Sequence, residues 1–208
     1  SGTSKYSRAA IKAEWKSLMI ARKKANVPLV IGSCGTCGTN RMVDWMENIT
    51  TELAEELNQN IKIAKLYCQQ EKNFIKKNLQ LRKIFPLNPA PMLNCQLIEE
   101  MTNIVALAGA EQIQECINTG AEIILAGRTT DTAIISALPL MKGANPGSSW
   151  HGAKVVECGA LCSTNPTSGV VMVEFDKTGF TVEPMSTNAS CTSETVAAHM
   201  LYENADPY

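Results

Sequence analysis

Two stretches of the chain combine glycines with residues able to hold an anion. The first, VIGSCGTCGTN, places Gly32, Gly35 and Gly38 in a loop with Ser33, Thr36, Thr39 and Asn40. An apolar run precedes the loop and a helical pattern follows it. Glycines in such a place let the backbone turn sharply and come close to a ligand, and the helix behind them offers amide N–H groups to a negative charge. The spacing is G-x-x-G-x-x-G. That is neither a Walker A loop nor a dinucleotide fingerprint, so it implies no nucleotide. A tight strand–helix turn would use the same glycines, and the residues alone leave both readings open.

The second stretch is LAGRTTDTA, 125–133. Gly127 closes an apolar run. Thr129 or Thr130 can cap the helix that follows, and Asp131 suits its first turn. Arg128 would then project from the end of a strand, where a guanidinium grips a carboxylate or phosphate at two points. The competing reading is an Arg128–Asp131 surface pair with the threonines as ordinary caps.

The cysteines invite other chemistry. Cys34 and Cys37 have the spacing of a metal knuckle or a dithiol. A structural zinc site needs four ligands, and the comparable pair is Cys158 and Cys162, with Cys158 in an apolar segment read as a strand. A thioredoxin-like dithiol puts its first cysteine at a helix start, whereas Gly38, Thr39 and Asn40 intervene here. Packing of small residues is the favoured reading, and no metal is expected. His151, in the SSWHGAK segment read as a loop, lies near Lys154 and Glu157 in sequence. A histidine beside an acid can move protons, so His151 and Glu157 are the candidate catalytic residues, against a capping or solvated histidine. His199 is assigned to packing or surface. The run ASCTSET, 189–195, is a second anion seat or a set of caps.

The chain has 208 residues, 45% hydrophobic and 19% charged, enough for one compact domain with a sizeable core. A formal net charge of -1 gives no electrostatic reason to expect nucleic acid. No apolar stretch is long enough to span a bilayer. Eight cysteines in a chain this long are not a disulfide scaffold, and several fall in apolar segments. A reducing, cytoplasmic setting is the simpler expectation.

The elements that must position these residues alternate. A helix is expected over 7–25, capped by Ser7 and ended by Asn26 and Pro28. A short strand follows at 29–32, then a helix over 41–58 with Asn40 as its N-cap. Further strands are expected at 61–68, 104–109 and 122–127, a polar helix or turn at 70–80, and helices at 94–102, 110–119 and 130–141. Residues 86–91 and 142–152 read as loops. The strands GVVMVEF and GFTVEPM form a hairpin through Asp176-Lys177-Thr178, and a helix covers 193–204. Continuous apolar strands alternating with helices argue an α/β fold: a three-layer, mainly parallel, doubly wound sheet with helices on both faces and a C-terminal β-hairpin. One domain over 1–208 is expected, with about 143–208 as a possible subdomain.

The stretches KYSRAAIKAEW, VPLVIGSCGTCGTN, VALAGAEQI, GAEIILAGRTTDTAIISALPLMKG, WHGAKVVECGA and SETVAAHMLYENADPY, in this order, resemble the acyclic terpene utilisation (AtuA-like) family. The resemblance covers essentially the whole chain, and 120–159 is its most specific part. It implies a bacterial protein of acyclic terpene and branched-acid breakdown, encoded near acyl-CoA carboxylase subunits. The implied ligand is a small acid or a CoA ester, with acyl-CoA carboxylase-pathway proteins or a second copy of the chain as partners. No cofactor is implied beyond a CoA-linked substrate. Family members are longer, so the chain is expected to be an internal portion. Their glycine loop commonly carries Ala or Gly where Cys34 and Cys37 stand, which weakens the metal and redox readings. The residues carried over are Gly32, Ser33, Gly35, Gly38, Gly127, Arg128 and Asp131, with His151, Glu157 and Tyr202 behind them. The alternative is a non-catalytic assembly subunit of an acyl-CoA-processing complex.

Overall fold

The computed structural model describes residues 2–87 and 89–202. The expected helix end at 204, the last six residues of the C-terminal family stretch and one residue of the 86–91 loop lie outside them. The chain forms two compact units: Ser1–Ala108 with Glu115–Thr129, and Gly109–Gln114 with Thr130–Tyr208.

The first unit is built on helix α1 (Arg8–Ala25), strand β1 (Leu29–Ile31), helix α2 (Asn40–Glu56), strand β2 (Ile63–Leu66), helices α3 (Lys72–Gln80) and α4 (Cys95–Glu100), and strand β3 (Ile123–Ala126). The three strands make one parallel sheet in the order β1-β3-β2. Leu29 aligns with Ile123 on one side of β3, and Ile63 aligns with Ile123 on the other. All four residues of central β3 are buried. The reason is that successive side chains point to opposite faces and both faces are covered. Ile123 and Leu125 join Trp15, Met19, Val43, Met46, Ile49 and Leu53 of α1 and α2. Ile124 packs with Cys116 and Ala121 on the other side.

Local signals explain α1. The Ser7 hydroxyl accepts from the Ala10 amide at 3.2 Å, and Asn26 takes the left-handed conformation at φ 54° that closes the helix. Two polar contacts then fix it. The buried Trp15 indole N–H donates to Thr50 Oγ1 at 2.8 Å. Arg22, only 8% exposed, donates through both terminal nitrogens to Glu122 at 2.9 and 2.8 Å. The Arg22 guanidinium and the Lys62 amide hold the Glu122 carboxyl below its ordinary range.

One expected strand is missing. Residues 104–109 make only isolated bridges, Gln69 with Val105 and Ala108 with Thr129. Leu107 is 58% exposed and Ala108 is the one buried residue of the run, so most of it is apolar in composition without being buried. Its amides run past the ends of the true strands, Ala106 donating to the Cys68 carbonyl and Ala108 to that of Arg128.

Helix α5 (Ala110–Asn118) is divided between the units. The second unit continues with helices α6 (Asp131–Met141) and α7 (Pro146–Val156), a 3-10 turn at Gly159–Cys162, the antiparallel pair β4 (Val171–Phe175) and β5 (Phe180–Pro184), and helix α8 (Ser193–Met200). The hairpin is as expected: Asp176 Oδ1 accepts from the amides of Thr178 and Gly179 and closes the turn. Residues 146–152, expected in a loop, are helical instead. Asn145 Oδ1 caps the Ser148 amide at 3.1 Å, and Pro146 stands at the helix start where no N–H is required. Gly152 is small for a packing reason. A Cβ there would come within 2.6 Å of Phe175 and 2.9 Å of Phe180, the hairpin aromatics that cover α7. Cys158, read as part of a strand, precedes the 3-10 turn, because Val155 and Val156 are the buried end of α7.

Candidate functional site

Parallel pairing of β1 with β3 brings the glycine loop and the Gly127-Arg128 junction to the same sheet edge. The ladder continues beyond both strands. The Ser33 amide donates to Gly127 O at 2.8 Å and the Cys34 amide to Ala126 O at 3.0 Å. The loop then coils on itself, Thr36 N donating to Ser33 O and Gly38 N to Cys34 O. This path needs left-handed backbone at Ser33 (φ 49°), Gly35 (φ 63°), Thr36 (φ 68°) and Gly38 (φ 65°).

The glycines permit close approach, here of backbone to backbone. A Cβ on Gly38 would lie 2.3 Å from Arg128 N and 2.6 Å from Arg128 Cα. A Cβ on Gly127 would lie 2.9 Å from Gly38 O and 2.9 Å from Cys68 Cβ. On the outer side, a Cβ on Gly35 would stand 2.6 Å from Met42 of α2. Ser33 adds a polar tie, exchanging 3.4 Å contacts with the Thr129 backbone.

Four amides of the loop are therefore engaged inside the protein. Those of Gly35, Cys37, Thr39 and Arg41 have no hydrogen-bond partner among the described residues. Asn40 is not the N-cap of α2. Thr39 occupies that position without a side-chain cap, while Asn40 Oδ1 accepts from Gln69 N at 3.1 Å and Asn40 N donates to Gln69 Oε1 at 3.4 Å. The asparagine ties the helix start to the chain leaving β2, so its backbone N–H and its Oδ1 are taken.

Arg128 is exposed, and its Nη1 lies 3.4 Å from the Thr36 carbonyl, which orients the guanidinium over the loop. It makes no ion pair among the described residues. The Thr129 hydroxyl is buried with no partner among them.

Beyond the loop, α2 lines a cleft of about 630 Å³ that the sequence reading did not anticipate. Its walls include Tyr6, Arg41, Met42 and Trp45. Trp45 lies on α2 among the residues that cover the sheet. It does pack against the core, yet it is only partly buried, and its remaining face turns to the cleft. The usable signal was Arg41, a cation set directly behind the glycine loop.

A family model described as acyclic terpene utilisation family protein AtuA matches residues 2–208. The chain belongs to the AtuA family. No curated protein and no solved structure matches it.

The remaining candidates of this AtuA-family chain lie apart from the loop in the sequence and belong to the second unit. Thr130 caps α6, its Oγ1 accepting from Ala133 N at 3.2 Å, and Asp131 is the first helical residue. His151 is on a helix, and its ring meets Phe180 edge-on at 5.2 Å. The Glu157 side chain, 7% exposed, is engaged by Lys154 Nζ at 2.5 Å. Six residues along a helix are more than one and a half turns, so His151 and Glu157 leave α7 in different directions. Tyr202 stacks on the buried His199, ring centroids 5.8 Å apart.

The cysteines of this AtuA-family chain are free thiols. Burial pushes Cys34 up to about 12, so it is a protonated packing residue at neutral pH. Cys162 and Cys191 bring their sulfurs within 3.9 Å. Among the described residues, no group of three or more His, Cys, Asp or Glu side chains is arranged to hold a metal ion. No described helix is long and apolar enough to cross a membrane.

Proposed function

We propose that this AtuA-family chain binds a small acidic or acyl-thioester metabolite of branched-chain, acyclic terpene breakdown in the cytoplasm, at the sheet edge formed by the 32–40 loop and Arg128. On this reading the parallel sheet belongs to a three-layer, doubly wound arrangement, in which ligands bind outside the carboxyl ends of the strands. The observation that carries the reading is Arg128. An exposed guanidinium with no ion pair lies over a loop whose Gly35, Cys37, Thr39 and Arg41 amides have no partner among the described residues. A fixed cation beside unspent N–H donors suits a carboxylate or phosphate. Thermal-shift titration with short branched acids and their CoA esters tests it. A ligand that binds only the folded state raises the melting temperature, and Arg128→Ala should abolish the rise.

A second reading is a non-catalytic assembly subunit of an acyl-CoA-processing complex. Two observations favour it. Glu157 is committed to Lys154, which leaves His151 without an acid partner on α7. Phe85, Leu87 and Met92 are 80%, 87% and 86% exposed around a proline-rich segment, more apolar surface than a chain of this kind needs to show. Size-exclusion chromatography with purified acyl-CoA carboxylase subunits separates the two. Co-elution lost on Phe85→Ser with Leu87→Ser supports assembly, and separate elution with intact acid binding rejects it.

A further inference from the structure

The cleft beyond the loop has a composition of its own. Tyr6 and Trp45 supply aromatic walls and Met42 an adaptable apolar one, while Thr3, Ser4 and Asn48 are small or neutral. Three charged side chains line it, Arg8, Arg41 and Asp44, and two are spoken for. Arg8 is paired with Glu52 at 2.5 Å. Asp44 accepts from the Tyr67 hydroxyl and from Lys65 Nζ at 3.2 Å, so its charge is matched outside the cleft. Arg41 is exposed and makes no ion pair among the described residues. The cleft thus presents one uncompensated cation at the rim of an apolar trough.

Its position adds meaning. Met42 is the residue against which Gly35 is pressed, so the wall of the cleft is also the outer support of the glycine loop. Arg41, on the same turn of α2, carries one of the unspent amides. Loop and cleft therefore share a single turn of helix: Met42 supports Gly35, and Arg41 and Met42 line the cleft together with Tyr6 and Trp45.

We propose that the cleft lined by Tyr6, Met42 and Trp45 receives the hydrocarbon tail of a carboxylic acid whose charged end lies at Arg41 and the loop amides. It thereby sets which chain lengths the protein accepts. This rests on the reading of the loop edge as an acid-binding site. The volume, about 630 Å³, falls within the usual range for small-molecule sites and is ample for a medium-length acyl chain. Burial of each methylene should tighten binding about threefold to fourfold until the trough is filled.

Calorimetric titration of the full chain with butyrate, hexanoate and octanoate tests this, using wild type, Tyr6→Ala and Trp45→Phe. Tyr6 is 63% exposed, so its loss leaves the core intact. The expected result is a rise of at least tenfold in affinity from butyrate to octanoate in wild type. That rise should fall to threefold or less in Tyr6→Ala, the loss of affinity being largest for octanoate. Octanoate should alter the tryptophan fluorescence of wild type and not that of Trp45→Phe. A chain-length series that is flat in wild type, or equally steep in both variants, overturns the tail site and leaves acid binding at the loop standing. Failure of all three acids to bind wild type overturns the tail site together with the reading beneath it.

Discussion

Gly38 and Arg128 meet backbone to backbone: a Cβ on Gly38 would stand 2.3 Å from the Arg128 amide nitrogen. Gly38 also has φ 65°, where side chains other than glycine are strained. Any substitution must push the loop off the junction that carries Arg128.

Gly38→Ala should therefore cost about 3 kcal/mol or more, overlap and backbone strain adding together. Gly179→Ala is the control, since nothing lies within 4 Å of its added Cβ, and it should cost less than about 1 kcal/mol. Urea midpoints compare the two. Similar midpoints would mean that the loop gives way easily.

The pair Arg22–Glu122 sets an acid limit. The folded carboxyl is held below its ordinary value of 4.5, so its stabilisation is present above that value and is lost as the pH falls through the folded one. Glu122 is 40% exposed, which reduces its share to about 1 kcal/mol. Glu122→Gln should remove that part of the melting-temperature decline below pH 4.5, while lowering stability at pH 7. Parallel melting curves of variant and wild type across pH 3–7 would exclude the coupling.

Cys34 limits the alkaline side. Its thiol is pushed up to about 12 by burial, against an ordinary 9.0. Between those values the folded state holds a proton that the unfolded chain releases, so stability falls as the pH rises above about 9. In native protein at pH 8, iodoacetamide should label exposed Cys95 and spare Cys34. Peptide mass spectrometry reads the result, and rapid labelling of Cys34 would show that the loop opens.

Thr50 carries the indole of Trp15. It is fully buried, accepts at 2.8 Å and itself donates to the Met46 carbonyl at 2.7 Å. Thr50→Val keeps the shape but leaves the indole N–H without a partner, at a cost of about 1–3 kcal/mol. Thr50→Ser keeps the acceptor and should cost less, in spite of its lost methyl. Chemical denaturation orders the three proteins, and a valine variant as stable as wild type would mean that water replaces the hydroxyl.

The alternation of apolar runs with helical patterns carried the parallel sheet, because Ile123–Ala126 are buried and Leu29–Ile31 partly buried by neighbours on both faces. The same signal misled at 104–109, where an apolar run lies over the strand ends with Leu107 in solvent. Apolar composition cannot tell burial from exposure over so short a stretch. Helix α7 was hidden by its glycines, which read as loop punctuation. Gly152 is instead the gap into which Phe175 and Phe180 fit, a contact made with residues more than twenty positions away. The glycine loop and Arg128 were legible as a pair of junctions. That their glycines face each other across a backbone contact was not, since spacing says nothing about what a missing Cβ makes room for.

The central claim is that Arg128 holds an anionic ligand over the glycine loop. The most direct test is the dissociation constant of a branched short-chain acid for wild type, Arg128→Lys and Arg128→Ala, measured calorimetrically with each variant's melting temperature. The account expects Arg128→Lys to weaken binding although charge is kept, because lysine cannot make the planar two-point contact. Arg128→Ala should weaken it further, on the order of 2–4 kcal/mol, with melting temperatures close to wild type. Unchanged affinity in both variants, with a lowered melting temperature, would contradict it and make Arg128 a structural strut of the loop.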